Sequence, residues 1–146
     1  MSAHRLILAV GLLASLASAS AQTVRAELAL RRVEGSVVEQ ELRLTLTIAD
    51  RWHIYGRTGG SGGEEPLALT PELPPGVEAV GEWSWPPAKR QDAAEVYYGK
   101  QVFRQKVRVA KLSAPKKILV RIGFQACSAE VCEPPEEIEA VVVVGR

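Results

Sequence analysis

From Thr23 onward the sequence alternates apolar and polar residues with a period of two. Val24, Ala26, Leu28 and Leu30 interleave with Arg25, Glu27 and Arg31, and Leu42, Leu44, Leu46 and Ile48 interleave with Arg43, Thr45 and Thr47. Successive side chains of an extended chain point to opposite faces, so each run reads as a strand with one dry and one wet face. Further strands are expected at Trp52 to Tyr55, Val77 to Trp83, Val102 to Lys111, Lys116 to Gln125 and Glu136 to Val144, and in the Lys116 run Ile118, Val120, Ile122 and Phe124 share a face. No stretch carries a helical stripe with caps.

Turn signals separate these runs at Glu34-Gly35-Ser36, Gly59-Gly60-Ser61-Gly62-Gly63, Pro74-Pro75-Gly76 and Ser113-Ala114-Pro115. Short strands so punctuated predict an all-β fold, an antiparallel β-sandwich of the immunoglobulin-like type, with a small barrel as the alternative. The Cys…Trp…Cys spacing of antibody domains is absent, so the architecture alone is inferred. The glycine-rich segment is no phosphate cradle, because neither Lys-Ser nor Lys-Thr follows it and no helix starts there. It is expected to be a flexible loop between strands.

The first residues read as an export signal: His4 and Arg5, then an apolar run from Leu6 through Leu16, then Ala19-Ser20-Ala21 before Gln22. The apolar run is too short to span a bilayer and ends in small residues, so residues 1–21 are expected to be a cleaved signal peptide and residues 22–146 one domain. The mature chain is expected to have no membrane span and to be periplasmic or secreted. Removing the leader takes away Arg5 and no acid, so 18 basic and 17 acidic side chains become 17 of each. A formally neutral chain offers no electrostatic reason to bind nucleic acid or an anionic membrane. A domain of this length buries about two-thirds of its unfolded surface, so cross-links are not needed for folding.

Against this background the two cysteines stand out, both in Gln125-Ala126-Cys127-Ser128-Ala129-Glu130-Val131-Cys132-Glu133-Pro134-Pro135. An exported thiol pair is expected to be a structural disulfide, a redox couple or a metal clip. Strands on either side are close enough to form a hairpin near the C-terminus, with the cysteines flanking its four-residue tip. Opposed positions at such a neck lie about 5.5 Å apart by Cα, within disulfide range. As a staple the bond closes so short a loop that it is worth roughly 2 kcal/mol. As a zinc site the pair supplies two of the ligands required, with His53 the only other Cys or His of the mature chain. As a redox couple on an exposed tip it suits exchange. Staple and redox couple both stay open on chemistry alone, and no metal or cofactor is expected. Glu130 and Glu133 flank Cys132 and disfavour a thiolate there, which points to a selective carrier, while Pro134-Pro135 stiffens the exit from the tip.

Several ordered pieces resemble one family. Glu95-Val96-Tyr97-Tyr98-Gly99-Lys100, then Val102-Phe103-Arg104, Phe124-Gln125-Ala126-Cys127 and Cys132-Glu133-Pro134-Pro135 are similar to the N-terminal periplasmic domain of the thiol:disulfide interchange protein DsbD. Trp52-His53-Ile54-Tyr55, Leu73-Pro74-Pro75-Gly76-Val77 and Trp85-Pro86 extend the likeness upstream, over nearly all of the mature chain. The resemblance implies an immunoglobulin-like sandwich whose cysteines accept reducing equivalents from a thioredoxin-like donor and pass them to extracytoplasmic proteins. It implies that Cys132 forms the mixed disulfides and Cys127 resolves them. It also implies an aromatic cap over the pair, which falls on Tyr97, with Tyr98 and Gly99 completing the cap loop and Glu95 as a nearby acid. Such a cap keeps solvent and oxidants from the sulfurs until a partner displaces it. The spacing between the cysteines is one residue shorter than in the best-known members, Val96 stands where an acid is often found and Tyr97 where phenylalanine is usual. No membrane relay or thioredoxin-like domain is expected within this chain, and the donor is expected to be a separate protein. The competing expectation is a non-enzymatic immunoglobulin-like binding or assembly module in which the same bond is structural.

Other chemistry is poorly supplied. His53 shares a strand face with Tyr55 and reads as a hydrogen-bonded strand histidine in preference to a general base. Trp83 and Trp85 read as packing residues, and Arg104, Lys106 and Arg108 as a solvated strand face. No Ser-His-Asp set is credible with one mature histidine, and Glu64-Glu65 and Glu136-Glu137 are neighbours whose side chains point apart.

Overall fold

The computed structural model describes residues 22–145; the leader expected over residues 1–21 lies outside them, as does Arg146. Among the described residues there is no helix, and eleven strands follow in order: β1 (Val24–Arg32), β2 (Glu39–Ile48), β3 (His53–Tyr55), β4 (Ala68–Glu72), β5 (Val77–Ser84), β6 (Lys89–Gln91), β7 (Ala94–Tyr97), β8 (Lys100–Val109), β9 (Lys116–Phe124), β10 (Ala126–Cys127) and β11 (Glu136–Val144). They form three antiparallel sheets, ordered β1-β2-β8-β5, β10-β3-β7-β6 and β11-β9-β4. The second and third sheets are continuous through the chain from β9 into β10 and through a bridge between Tyr55 and Pro66. Together they face the first, an immunoglobulin-like β-sandwich as expected, and not the small barrel that the alternation also allowed.

The dry faces are the ones the period of two marks. Leu42, Leu44, Leu46 and Ile48 of β2 are buried with Ile118, Val120, Ile122 and Phe124 of β9, and Phe103 of β8 sits among them with no exposed surface. Trp83 and Trp85 are partly buried against this core, while Arg104, Lys106 and Arg108 lie exposed on the wet face of β8. One polar side chain interrupts the dry face of β8. Gln105, 3% exposed, donates its amide to the carbonyls of Val80 (3.3 Å) and Gly81 (2.9 Å) where the β5–β8 register slips. A buried amide at a bulge supplies partners that the broken ladder no longer provides.

Four short strands, β4, β6, β7 and β10, are additional to those the alternation marks. β4 contains Pro71, which a sheet edge tolerates, and β4 is the edge of its sheet. β6 and β7 meet in a tight turn with Asp92 and Ala93 at φ of 50° and 66°, the left-handed pair that a two-residue hairpin demands. The glycine-rich loop, expected to be loose, is closed on itself: Gly60 N–H bonds Glu64 O (3.1 Å) and Gly62 N–H bonds a Glu64 carboxylate oxygen (2.9 Å). Gly60 is required by close approach, since a Cβ there would lie 2.8 Å from the Tyr55 ring.

Candidate functional site

β9 and β11 pair without a break from Lys116 opposite Val144 to Phe124 opposite Glu136, which is the expected hairpin. Its far end does not close as a simple tip. After Gln125 the chain turns into the second sheet, where Ala126 pairs with Ile54 and Cys127 with His53. β3 in turn pairs Ile54 with Tyr97 of β7. One row of side chains, Ala126, Ile54 and Tyr97, is buried in the core. Alternation sends the next row, Cys127 and His53, to the opposite face, and the Tyr98 ring joins it 5.4 Å from the His53 ring.

Cys127 and Cys132 are joined in a disulfide with their Cα atoms 4.0 Å apart, closer than the spacing expected at the neck. The reason lies in the ladder. Ser128 N–H bonds Val131 O (2.7 Å) and Glu133 N–H bonds Ala126 O (2.9 Å), so the cysteines occupy a non-hydrogen-bonded pair, the narrow kind of antiparallel position. The Ser128 hydroxyl accepts the N–H groups of Glu130 (3.2 Å) and Val131 (3.1 Å) and fixes the four-residue tip. Thr23 donates its hydroxyl to the Glu133 carboxylate (2.9 Å), which ties that flank to the start of β1, and the Gln125 amide donates to Glu133 O (3.1 Å), which ties the two flanks to each other.

The two sulfur residues differ sharply in access. Cys127 is 1% exposed, whereas Cys132 is exposed, as is Val131 beside it. Both line a cavity of about 550 Å³ with Arg51, His53, Tyr55, Glu64 and Tyr98. His53 is buried; its Nε2 lies 3.3 Å from the Tyr55 hydroxyl and its ring meets the Tyr55 ring edge-on at 5.3 Å. Burial pulls the imidazole pKa down, and Glu64 partly opposes it. The Tyr55 phenol is pushed up, by burial first and then by Glu64.

Of the residues the resemblance points to, Tyr98 reaches the cavity and Tyr97 does not. Tyr97 is 3% exposed, donates its hydroxyl to Pro86 O (2.9 Å) and packs edge-on against Phe103 at 5.5 Å. Burial raises its pKa, Glu95 adds to the rise and Arg57 opposes it. Tyr98 is half-buried, is hydrogen-bonded through its hydroxyl to Gln91 and is flanked by Lys89 Nζ at 5.5 Å from the ring. Gly99, at φ of 61°, makes the left-handed turn that lets β7 run into β8. Glu95 borders Gly56, accepting its N–H on the backbone oxygen (2.7 Å), and is not part of the cavity wall. His53, Tyr55, Glu64 and Arg51 join the site through tertiary pairing. The shared face of His53 and Tyr55 was readable, but their opposition to Cys127 depends on β10. No three His, Cys, Asp or Glu side chains cluster as a metal site among the described residues.

Solved structures are similar to the chain at low identity. The reduced N-terminal domain of DsbD from Neisseria meningitidis is 17% identical, with a TM-score of 0.46 over 82% of this chain and 84% of that one. The N-terminal periplasmic domain of ScsB from Proteus mirabilis is 18% identical, with a TM-score of 0.50 over 82% of this chain, which spans 44% of that one. The GAE domain of GGA2p from Saccharomyces cerevisiae is 11% identical, with a TM-score of 0.50 over 86% and 92%. A sandwich shared with a GAE domain shows architecture alone. No curated protein sequence matches the chain. Residues 20–143 match the family model described as thiol:disulfide interchange protein DsbD, N-terminal. With a disulfide at the edge of an antiparallel sandwich and that match over nearly its whole length, the chain belongs to the DsbD N-terminal domain family, a family of thiol–disulfide exchange.

Proposed function

We propose that this is an exported exchange domain that accepts reducing equivalents from a thioredoxin-like donor and passes them to extracytoplasmic proteins through Cys127 and Cys132. The observation that carries the reading is the unequal access of the two cysteines, one exposed and one 1% exposed. A donor thiolate attacks Cys132 Sγ, the Cys127–Cys132 bond breaks, and Cys127 leaves with the electron pair and takes up a proton. A second donor thiol then displaces Cys132, so the donor dithiol is oxidised and the pair reduced. Run in reverse on a substrate disulfide, Cys132 attacks and Cys127 resolves the mixed disulfide.

Tyr98, on the cavity wall, takes the shielding role that the resemblance assigns to Tyr97, while Tyr97, Gly99 and Glu95 hold the β7–β8 segment that presents it. The leader pattern of residues 1–21 and the periplasmic setting of the ScsB neighbour support a periplasmic or secreted location, with cleavage near Ala21. Trapping tests the roles. Cys127→Ser, which frees the exposed sulfur, is expected to form a stable mixed disulfide with a thioredoxin-like protein, and Cys132→Ser to form none while keeping the fold. If Cys132→Ser traps the donor as readily as Cys127→Ser, the assignment is wrong.

A further inference from the structure

Opening the disulfide creates a charge in an unfavourable place. Attack on exposed Cys132 leaves the bonding electron pair on Cys127 Sγ, and Cys127 is 1% exposed, where burial disfavours a thiolate. The exchange therefore needs a proton at that sulfur as the bond breaks. The groups that share its cavity come from several elements: His53 and Tyr55 from β3, Tyr98 from the end of β7, Arg51 from the turn before β3, Glu64 from the glycine-rich loop and Glu130 from the tip. A guanidinium does not release its proton, a phenol ordinarily holds its own to about pH 10, and a carboxylate ordinarily loses its own near pH 4. Imidazole is the one group here suited to give and recover a proton near neutrality. Its position matches, because His53 is the direct cross-strand partner of Cys127, a relation that sets Cβ atoms about 5 Å apart on one face. A pair so placed can meet sulfur to ring through one bridging water.

We propose that His53 delivers the proton that Cys127 Sγ takes up when the disulfide opens, and recovers it when Cys127 attacks a mixed disulfide with substrate. The inference rests on the exchange reading above. In the opening step an imidazolium, a donor thiolate and the disulfide become a neutral imidazole, a Cys127 thiol and a Cys132 mixed disulfide, so charge and protons balance. The lowered imidazole pKa fits the role, since a destabilised imidazolium gives up its proton readily. The Tyr55 hydroxyl at 3.3 Å from Nε2 holds the ring against rotation, which makes Tyr55 a positioning residue.

The test is the rate of disulfide reduction by dithiothreitol from pH 5 to pH 8, read by acid quench and alkylation, with each rate divided by the thiolate concentration. In the wild type this corrected rate is expected to fall about tenfold over the range as the imidazolium is lost, a modest share of what general acids supply. His53→Gln is expected to be slow and flat, meeting the wild type near pH 8, with an unchanged circular dichroism spectrum. A flat wild-type profile overturns the proposal whether or not the variant folds, and so does a His53→Gln profile that falls like the wild type. Because dithiothreitol replaces the protein donor, failure of the exchange reading shows separately, as a pair that dithiothreitol reduces but thioredoxin-like proteins do not.

Discussion

Reducing the Cys127–Cys132 bond should soften the domain only slightly, and the amount follows from how little chain the bond encloses. The cysteines are five apart in sequence, and a loop that short removes about 2 kcal/mol of conformational freedom from the unfolded chain. The native side adds little, because the Ser128–Val131 and Glu133–Ala126 backbone bonds hold the neck without the sulfurs. In a domain of this size, about 2 kcal/mol corresponds to a fall in Tm of about 6–10 °C. The same cycle says that folding lowers the potential of this disulfide by only about 45 mV relative to the unfolded chain, which leaves it exchangeable. Calorimetry of oxidised and phosphine-reduced protein measures the first quantity, and equilibration with glutathione in buffer and in urea measures the second. An unfolded reduced chain, or a drop beyond about 15 °C, refutes the reasoning and favours the binding-module alternative with a structural bond. That alternative also expects a potential below about −300 mV and no exchange with thioredoxin-like proteins.

Three further outcomes are expected. Tyr98→Ala should leave Tm nearly unchanged and speed peroxide oxidation of the reduced pair, whereas Tyr97→Ala should cost about 3–5 kcal/mol in urea unfolding, as for any large buried aromatic; the opposite pattern would return the shield to Tyr97. Ala93→Gly should stabilise the domain by about 1 kcal/mol, because Ala93 sits at φ of 66° without the glycine that this turn prefers, and urea midpoints would show it. His53 has its folded pKa lowered from the usual 6.5, by burial first with Glu64 opposing, so the unfolded chain binds the proton more readily. Its contribution is thus fully present above pH 6.5 and is lost as pH falls from there toward the lower folded value; urea titrations of the wild type between pH 8 and 5 should show a fall that His53→Gln partly lacks, and equal slopes refute the linkage.

How much was legible in the sequence follows from where each signal resides. Strands such as β2 and β9 carry their own evidence, since four or more alternating apolar residues commit a face by themselves. β4, β6, β7 and β10 carry none: two to five residues are too few to show a period, and Pro71 argues against a strand that only an edge position permits. The site divides in the same way. A disulfide is among the states expected of two neighbouring cysteines in an exported chain, and Gly99 enters through the resemblance of its loop. The choice between Tyr97 and Tyr98 was not legible, because it depends on Tyr97 being level with Ile54 and Ala126 on the buried row. His53 was set aside for the same reason, as its opposition to Cys127 is a fact of pairing between segments more than seventy residues apart.

The narrow pair at the neck also separates two kinds of change. A one-residue slip anywhere from Phe124 to Cys127 would turn the sulfur inward and push Ala126 to the surface, because the strand period is two. The apex from Ser128 to Val131 is under no such rule. Its ends, Ser128 and Val131, make the last backbone bond, so a residue added between them at Ala129 or Glu130 lengthens the loop without moving either sulfur or the histidine opposite. Cysteine spacing is therefore free to drift within this architecture, while the step at Ala126 is not; an insertion scan along residues 124–132 would map that boundary.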